Sequence, residues 1–296
     1  MSLISWYIRY DFKKGDRRRD AGLSTPPEIQ RYDDIVYGES KKWQILDVYR
    51  PKDKAGKLPV ILSVHGGGWV YGTKETYQFY CMDLAKRGFA VVNFTYRLAP
   101  EHRYPAQIED TNAVVEWILK HSEEYGFDTG NIFAVGDSAG GHLLSVYTAM
   151  CNDSSYAAHY GIEIPKDFQF NAIALNCGVY YQKMPKEKKG MDKLLDDLLP
   201  KGWTKEDLDW LNSYDKIREG FPPTFVMSSN GDFLRSQVDI IVPELEKHKI
   251  EHTVKIYGNE QNVLGHVFHC NIKTKDAAIC NDDECAFFRA HRKEAE

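Results

Sequence analysis

The stretch Asn131-Ile132-Phe133-Ala134-Val135-Gly136-Asp137-Ser138-Ala139-Gly140-Gly141 decides how this chain is read. Its first five residues are mostly apolar and rich in β-formers, as in a buried strand, and the run from His142 to Met150 reads as a helix. Ser138, with Gly136 and Gly140 two positions to either side, therefore sits on a strand-to-helix turn. Such a turn holds the serine in a strained backbone conformation, and small flanking residues give strand and helix room to pass. The hydroxyl is pushed out at the end of the sheet, and the Ala139 amide at the helix N-terminus points at the same spot. G-x-S-x-G alone also occurs by chance in glycine-rich turns; the strand before it and the helix after it give this one its meaning.

A second motif, His65-Gly66-Gly67-Gly68-Trp69, directly follows an apolar run at 58–64 that reads as a central parallel strand. Three consecutive glycines let the backbone approach a ligand and turn its amides outward. The amides of Gly67 and Gly68, together with that of Ala139, are the expected donors of an oxyanion hole. His65 lies at the strand end and is expected to brace the loop by hydrogen bonding; Gly66 and Asp137 complete the two motifs as supporting residues.

A serine on such a turn needs an acid and a base, in the chain order Ser, Asp/Glu, His. Ligand-facing residues of a parallel sheet lie at the carboxyl ends of its strands. Asp232 follows an expected strand at 224–228, and His266 ends the loop after an expected strand at 253–257. Asp215 precedes its strand and Asp239 lies within a helix, so both are worse placed. His252 starts a strand and so sits at the opposite edge, His142 lies on the helix after the turn, and His269 is the nearest rival.

Outward from these motifs the chain alternates. Residues 30–37 and 42–49 read as an antiparallel hairpin with one wet face, turning at Gly38-Glu39-Ser40. Further strands are expected at 89–96 and 170–175, and helices at 76–87, 110–125, 237–248 and about 273–292. The sum is an α/β fold: about eight strands in a mostly parallel sheet with helices on both faces. The alternation breaks between Gly178 and Phe221, where two short amphipathic helices, 191–199 and 205–211, replace a strand. An insertion of that size, leaving the sheet at the edge where Ser138 emerges, reads as a lid. Residues 1–28 read as an accessory segment in which Leu3, Trp6, Tyr7 and Tyr10 share a helical face. The expected division is a catalytic core of 29–177 and 222–296, with a helical cap of 1–28 and 178–221.

The 296 residues suffice for one large α/β domain with insertions, and a net charge of −5 gives no general case for nucleic-acid binding. No apolar run is long enough to span a bilayer. The short apolar patch at Leu3–Ile8 precedes its charges rather than following them, unlike a signal peptide, and the chain reads as a cytoplasmic protein. The six cysteines are scattered, with no C-x-x-C pair, and read as free thiols partly in the core.

Taken together, the two glycine motifs, Tyr96-Arg97-Leu98-Ala99-Pro100-Glu101-His102, the stretch from Pro105 to Asp110, Asp232-Phe233-Leu234-Arg235 and Gly265-His266-Val267-Phe268 resemble the bacterial hormone-sensitive-lipase-like esterases of the α/β-hydrolase fold. Two positions depart from that family: Phe233 stands where a proline usually follows the acid, and His142 where an asparagine often follows the glycines. The resemblance implies a serine esterase for short-chain acyl esters, acetyl esters among them, with Ser138, Asp232 and His266 as its triad. It also gives Arg97 and Glu101 the look of internal brackets near the site. No metal or organic cofactor is expected, the partner is a small-molecule ester, and a homodimer is compatible with the reading. An amidase of the arylformamidase kind would use the same triad. A non-catalytic ligand receptor on the same scaffold usually lacks the base, which is present here as His266.

Overall fold

Period-two alternation in the central strands sends Phe133 and Val135 to one side of a sheet and Ile132 and Ala134 to the other, so the core forms as two layers. A computed structural model describes residues 1–185 and 192–294. Its strands are β1 (Ile29–Val36), β2 (Ile45–Pro51), β3 (Leu58–Val64), β4 (Ala90–Thr95), β5 (Phe127–Asp137), β6 (Ala172–Asn176), β7 (Thr224–Ser229) and β8 (His252–Tyr257). They form one sheet in the order β1-β2-β4-β3-β5-β6-β7-β8. The β1–β2 and β2–β4 pairs are antiparallel and all later pairs are parallel. The turn carrying Ser138 thus leaves the carboxyl end of a central strand, with β3 on one side and β6 on the other.

Among the described residues the sheet is surrounded by the α-helices α1 (Leu3–Asp20), α2 (Lys74–Lys86), α3 (Ala106–Lys120), α4 (Ser122–Tyr125), α5 (Ala139–Asn152), α6 (Ser154–His159), α7 (Lys193–Leu198), α8 (Lys205–Leu211), α9 (Val238–Lys247) and α10 (Lys275–Ala290). Apolar side chains of α3, α5 and α9 build one layer, and those of α2 and α10 the other. Ile8 of α1 and the leucines of α7 and α8 extend the first layer beyond the end of the sheet. Ser5 on α1 donates to Asp197 on α7 over 2.5 Å, and the Ser2 amide donates to the same carboxylate over 2.8 Å. Of the expected lid, Met191 and the five residues before it lie outside the described residues.

Two expectations change. The second hairpin strand starts at Ile45, because residues 41–44 belong to the turn, and it has no wet face. It pairs with β4 on its other edge and is buried on both faces, its one acidic group, Asp47, being held by Lys74 and Tyr49. The helix expected over 110–125 starts earlier, at Ala106, and stops at Lys120 before the separate turn of α4. On α1, Leu3, Trp6, Tyr7 and Tyr10 do share a face, but it points outward; Ser5 and Ile8 on the opposite side are the buried residues.

The loop after β4 is held by charge. Arg97 donates from its amide and its Nε to the fully buried Asp110 at 2.7–3.0 Å, and reaches Glu109 over 2.7 Å. Gln44 supplies a further bond to Asp110 over 2.8 Å. Glu101, in the same loop, receives both arms of the Arg9 guanidinium at 2.8 and 2.6 Å, which ties α1 to it. Arg97→Leu leaves the Asp110 carboxylate buried without its counter-charge. We expect a loss of about 3 kcal/mol in stability, read by urea denaturation.

A second buried acid supports the end of β6. Glu284 of α10 accepts from Tyr80 Oη over 2.8 Å and from Asn176 Nδ2 over 2.6 Å. Burial outweighs these bonds and pushes its pKa from 4.5 up to about 7. Between those two values the folded chain holds a proton that the unfolded chain has released, so stability falls as pH rises through that window. Glu284→Gln removes this contribution. Unfolding free energies from urea denaturation between pH 4.5 and 7 are expected to decline more steeply in the wild type than in the variant, by about 3 kcal/mol over the window.

Candidate active site

Ser138 occupies φ 52°, ψ −120°, a region that costs a non-glycine residue about 1–3 kcal/mol. The surroundings enforce it. Its amide donates to the Asn176 carbonyl over 3.0 Å, and its own carbonyl accepts from the amides of His142 and Val179 at 3.1 and 3.3 Å. The helix crosses so close to β3 that a Cβ on Gly140 would overlap the Val64 carbonyl oxygen. These are the constraints that the spacing of Gly136, Ser138 and Gly140 implies.

A cavity of ≈ 210 Å³ opens at this turn, and Ser138, Ala139, Gly68 and His266 all line it. Gly67 lies one residue deeper in the same loop, with φ +117°, and its carbonyl accepts from the amides of Val70 and Tyr71. Asp232 stands behind His266, accepting from its Nδ1 over 2.7 Å. The same carboxylate accepts from Ser228 Oγ over 2.7 Å and from the Leu234 amide over 2.9 Å. Burial alone would raise the pKa of Asp232, but His266 and these donors hold it below the ordinary carboxylate value. The expected Ser, Asp and His are thus brought to one end of the sheet, from the ends of β5, β7 and β8.

The supporting residues form a second tier. His65 is buried, its ring stacked on Tyr96 at 3.9 Å, and Nδ1 bonds the Gly66 carbonyl over 2.8 Å. Burial pulls its pKa down to about 4, so the ring is neutral. Asp137 accepts from Tyr77 Oη over 2.7 Å, and the same hydroxyl accepts from the Gly66 amide over 3.0 Å. The two glycine motifs are therefore cross-linked through one tyrosine. Burial pushes the Asp137 pKa up to about 6.

The rival groups fall elsewhere. His269 is fully buried against the Tyr80 ring. His252 starts β8 and bonds the Ile250 carbonyl, and Asp215 pairs with Lys216. His142 serves the cavity wall: Trp69 Nε1 donates to its Nδ1 over 3.2 Å, and its Nε2 donates to the Leu211 carbonyl over 2.8 Å. It thereby joins the end of α8 to the loop that carries Gly68.

Other parts of the wall escape sequence reasoning. Ile8 and Phe12 of α1, Leu194 and Leu195 of α7, and Gln182 all line the cavity. Phe233 does too, with its ring 4.4 Å from that of His266. Phe233 belongs to the motif that carries Asp232, but no local motif marks the positions on α1 and α7 or Gln182; only the packing of distant segments assembles them. Ser228 did carry a signal, four residues before Asp232 at the end of the same strand.

Two groups, Asp137/His269/Cys270 and Cys177/Asp232/His266, bring three metal-ligating atoms within 4.8 Å of one another. In both, burial pushes the thiol pKa well above its ordinary value, which opposes the thiolate form that a metal requires. The second group is already engaged by the Asp232–His266 bond.

Comparison with known proteins agrees with this architecture. The BD-FAE family model matches residues 46–237. Esterase LipC of Mycobacterium tuberculosis is 34% identical over 148 residues, which cover 49% of this chain and 35% of LipC. Carboxylesterase NlhH of the same organism is 37% identical over 147 residues, covering 46% of this chain and 44% of NlhH. The chain thus matches less than half the length of these two relatives. Esterase B of Lactobacillus rhamnosis, solved in a form inhibited by a tributyrin phosphonate, superposes with a TM-score of 0.88 at 26% identity, covering 98% of this chain and 95% of that one. The match of sequence model, sheet order and turn geometry places the chain in the BD-FAE family, with the α/β-hydrolase fold.

Proposed function

We propose that this protein is a serine carboxylesterase acting on short-chain acyl esters. The observation that carries the reading is convergence: a serine on a strained strand-to-helix turn and a carboxylate-bound histidine line one cavity. Ser138 attacks the ester carbonyl, and His266 takes its proton through Nε2 and delivers it to the leaving alcohol. Asp232 keeps the other proton on Nδ1 and stabilises the charged ring. The amides of Gly67, Gly68 and Ala139 receive the oxyanion, each contributing roughly 3 kcal/mol in the transition state. Water activated by His266 then hydrolyses the acyl-enzyme. No step calls for a metal or organic cofactor.

Support comes from relatives named as esterases and from a structural neighbour caught with an ester-mimicking phosphonate. The short-chain preference rests on size. At ≈ 210 Å³ the cavity is smaller than the roughly 300–1,000 Å³ typical of sites for drug-sized ligands, and Ile8, Phe12, Leu194 and Leu195 close its apolar side. In this reading α1 and the segment 178–221 act as a cap over a catalytic core of 29–177 and 222–296, and the cap sets acyl length.

The test is hydrolysis of p-nitrophenyl esters from acetyl to decanoyl by the wild type and Ser138→Ala. The wild type is expected to turn over the short esters and to fall off steeply toward decanoyl. Ser138→Ala is expected to lose about 10⁴-fold or more in kcat. A wild type inactive on all of them, or fastest on decanoyl, would overturn the proposal.

A further inference from the structure

Helix α1 has two faces with opposite assignments. Its inner face fastens the helix to the body: Ile8 is buried, Arg9 holds Glu101 and the Val70 and Ala99 carbonyls, and Arg19 pairs with Asp16 and Asp20. Its outer face is one continuous stripe at helical spacing. The first two turns present Leu3, Trp6, Tyr7 and Tyr10, which are 87, 57, 51 and 59% exposed. Trp6 and Tyr10 stack on each other, with ring centroids 5.8 Å apart and only 4° between planes. The next two turns continue the same stripe with Lys13, Lys14, Arg17 and Arg18, all exposed. With Tyr10 and Ala21 these four line a shallow basic hollow. Among the described residues, none of the four forms an ion pair, whereas both arginines of the inner face do.

A large apolar patch is costly in water, and four unpaired cations beside it run against the net charge of −5 of the chain. Packing within this molecule explains neither, since the inner face alone fastens the helix. The combination fits one environment. Indole and phenol rings favour the boundary between headgroups and acyl chains, and lysine and arginine favour anionic phosphates. We propose that the outer face of α1 is a docking surface for an anionic lipid bilayer. The helix lies flat on the membrane, its first half settling among the headgroups and its second half neutralising lipid phosphates. No helix among the described residues is long and apolar enough to cross a membrane.

Docking has a consequence for the cavity. Ile8 and Phe12 on the inner side of α1 form part of its wall, so the membrane lies about one helix diameter, ~10 Å, from the site. Esters dissolved in the lipid phase would reach Ser138 over a short path. That consequence rests on the esterase reading; the docking itself does not.

Co-sedimentation with vesicles of phosphatidylcholine, with and without phosphatidylglycerol, tests the proposal without any turnover. The wild type is expected to sediment with the phosphatidylglycerol vesicles and to be released by salt. Each basic side chain near an anionic surface strengthens binding about fivefold, so Lys14→Gln/Arg17→Gln should weaken it roughly twenty-five-fold. Trp6→Ser/Tyr10→Ser should also weaken it, and both variants should retain wild-type thermal melting. The proposal fails if the wild type ignores anionic vesicles, or if neither pair of substitutions alters binding. It fails equally if light scattering shows a dimer that Trp6→Ser/Tyr10→Ser dissociates, since the stripe would then serve a second copy of the chain.

Discussion

Everything around the site depends on one close approach, that of the helix after Ser138 to the end of β3. Gly140 packs against the Val64 carbonyl, and the loop His65–Trp69 starts one residue further on. This contact aligns two backbone segments that are more than sixty residues apart, so that Gly68 and Ala139 face one cavity. It also locks Ser138 into a conformation that its own φ and ψ preferences disfavour. The strain is held by bonds on both sides: the Ser138 amide donates to the Asn176 carbonyl at the end of β6, and the Ser138 carbonyl accepts from the amides of His142 and Val179.

Buried polar groups then carry that alignment outward. Tyr77 joins the Gly66 amide to Asp137, Tyr96 braces His65 by stacking and donates to its carbonyl, and His142 ties Trp69 to the end of α8. Each of these side chains is buried, and a lost partner there costs more than the same bond at the surface. The loops of the site are therefore set by networks of donors and acceptors rather than by their own propensities. The surrounding sheet supplies a rigid frame, with β5 at its centre.

The fold was legible because its central strands are apolar runs of strand length bounded by turns, and strand ends, within the order Ser, Asp/Glu, His, singled out Asp232 and His266. What escaped did so for physical reasons. β2 alternates polar and apolar residues, as a half-wet strand does, yet Lys74 and Tyr49 satisfy Asp47 inside the protein, so the pattern misled. The shared face of Leu3, Trp6, Tyr7 and Tyr10 on α1 is readable from helical spacing, but its outward direction is not, because spacing says which residues share a face and not what that face meets. The cavity wall drew on α1, α7 and the neighbourhood of Phe233, contacts between segments distant in sequence that no periodicity encodes. His142 stood out only as a departure from a family pattern; its role emerges from its two partners.

The central claim is that Ser138 is the nucleophile of this molecule. Incubation with a p-nitrophenyl alkylphosphonate, followed by intact-mass measurement and peptide mapping, tests it most directly. The account predicts a single adduct per chain on the peptide that contains Ser138, absent in Ser138→Ala and formed far more slowly in a variant lacking the His266 imidazole. An unlabelled wild type, or an adduct on any other residue, would contradict it.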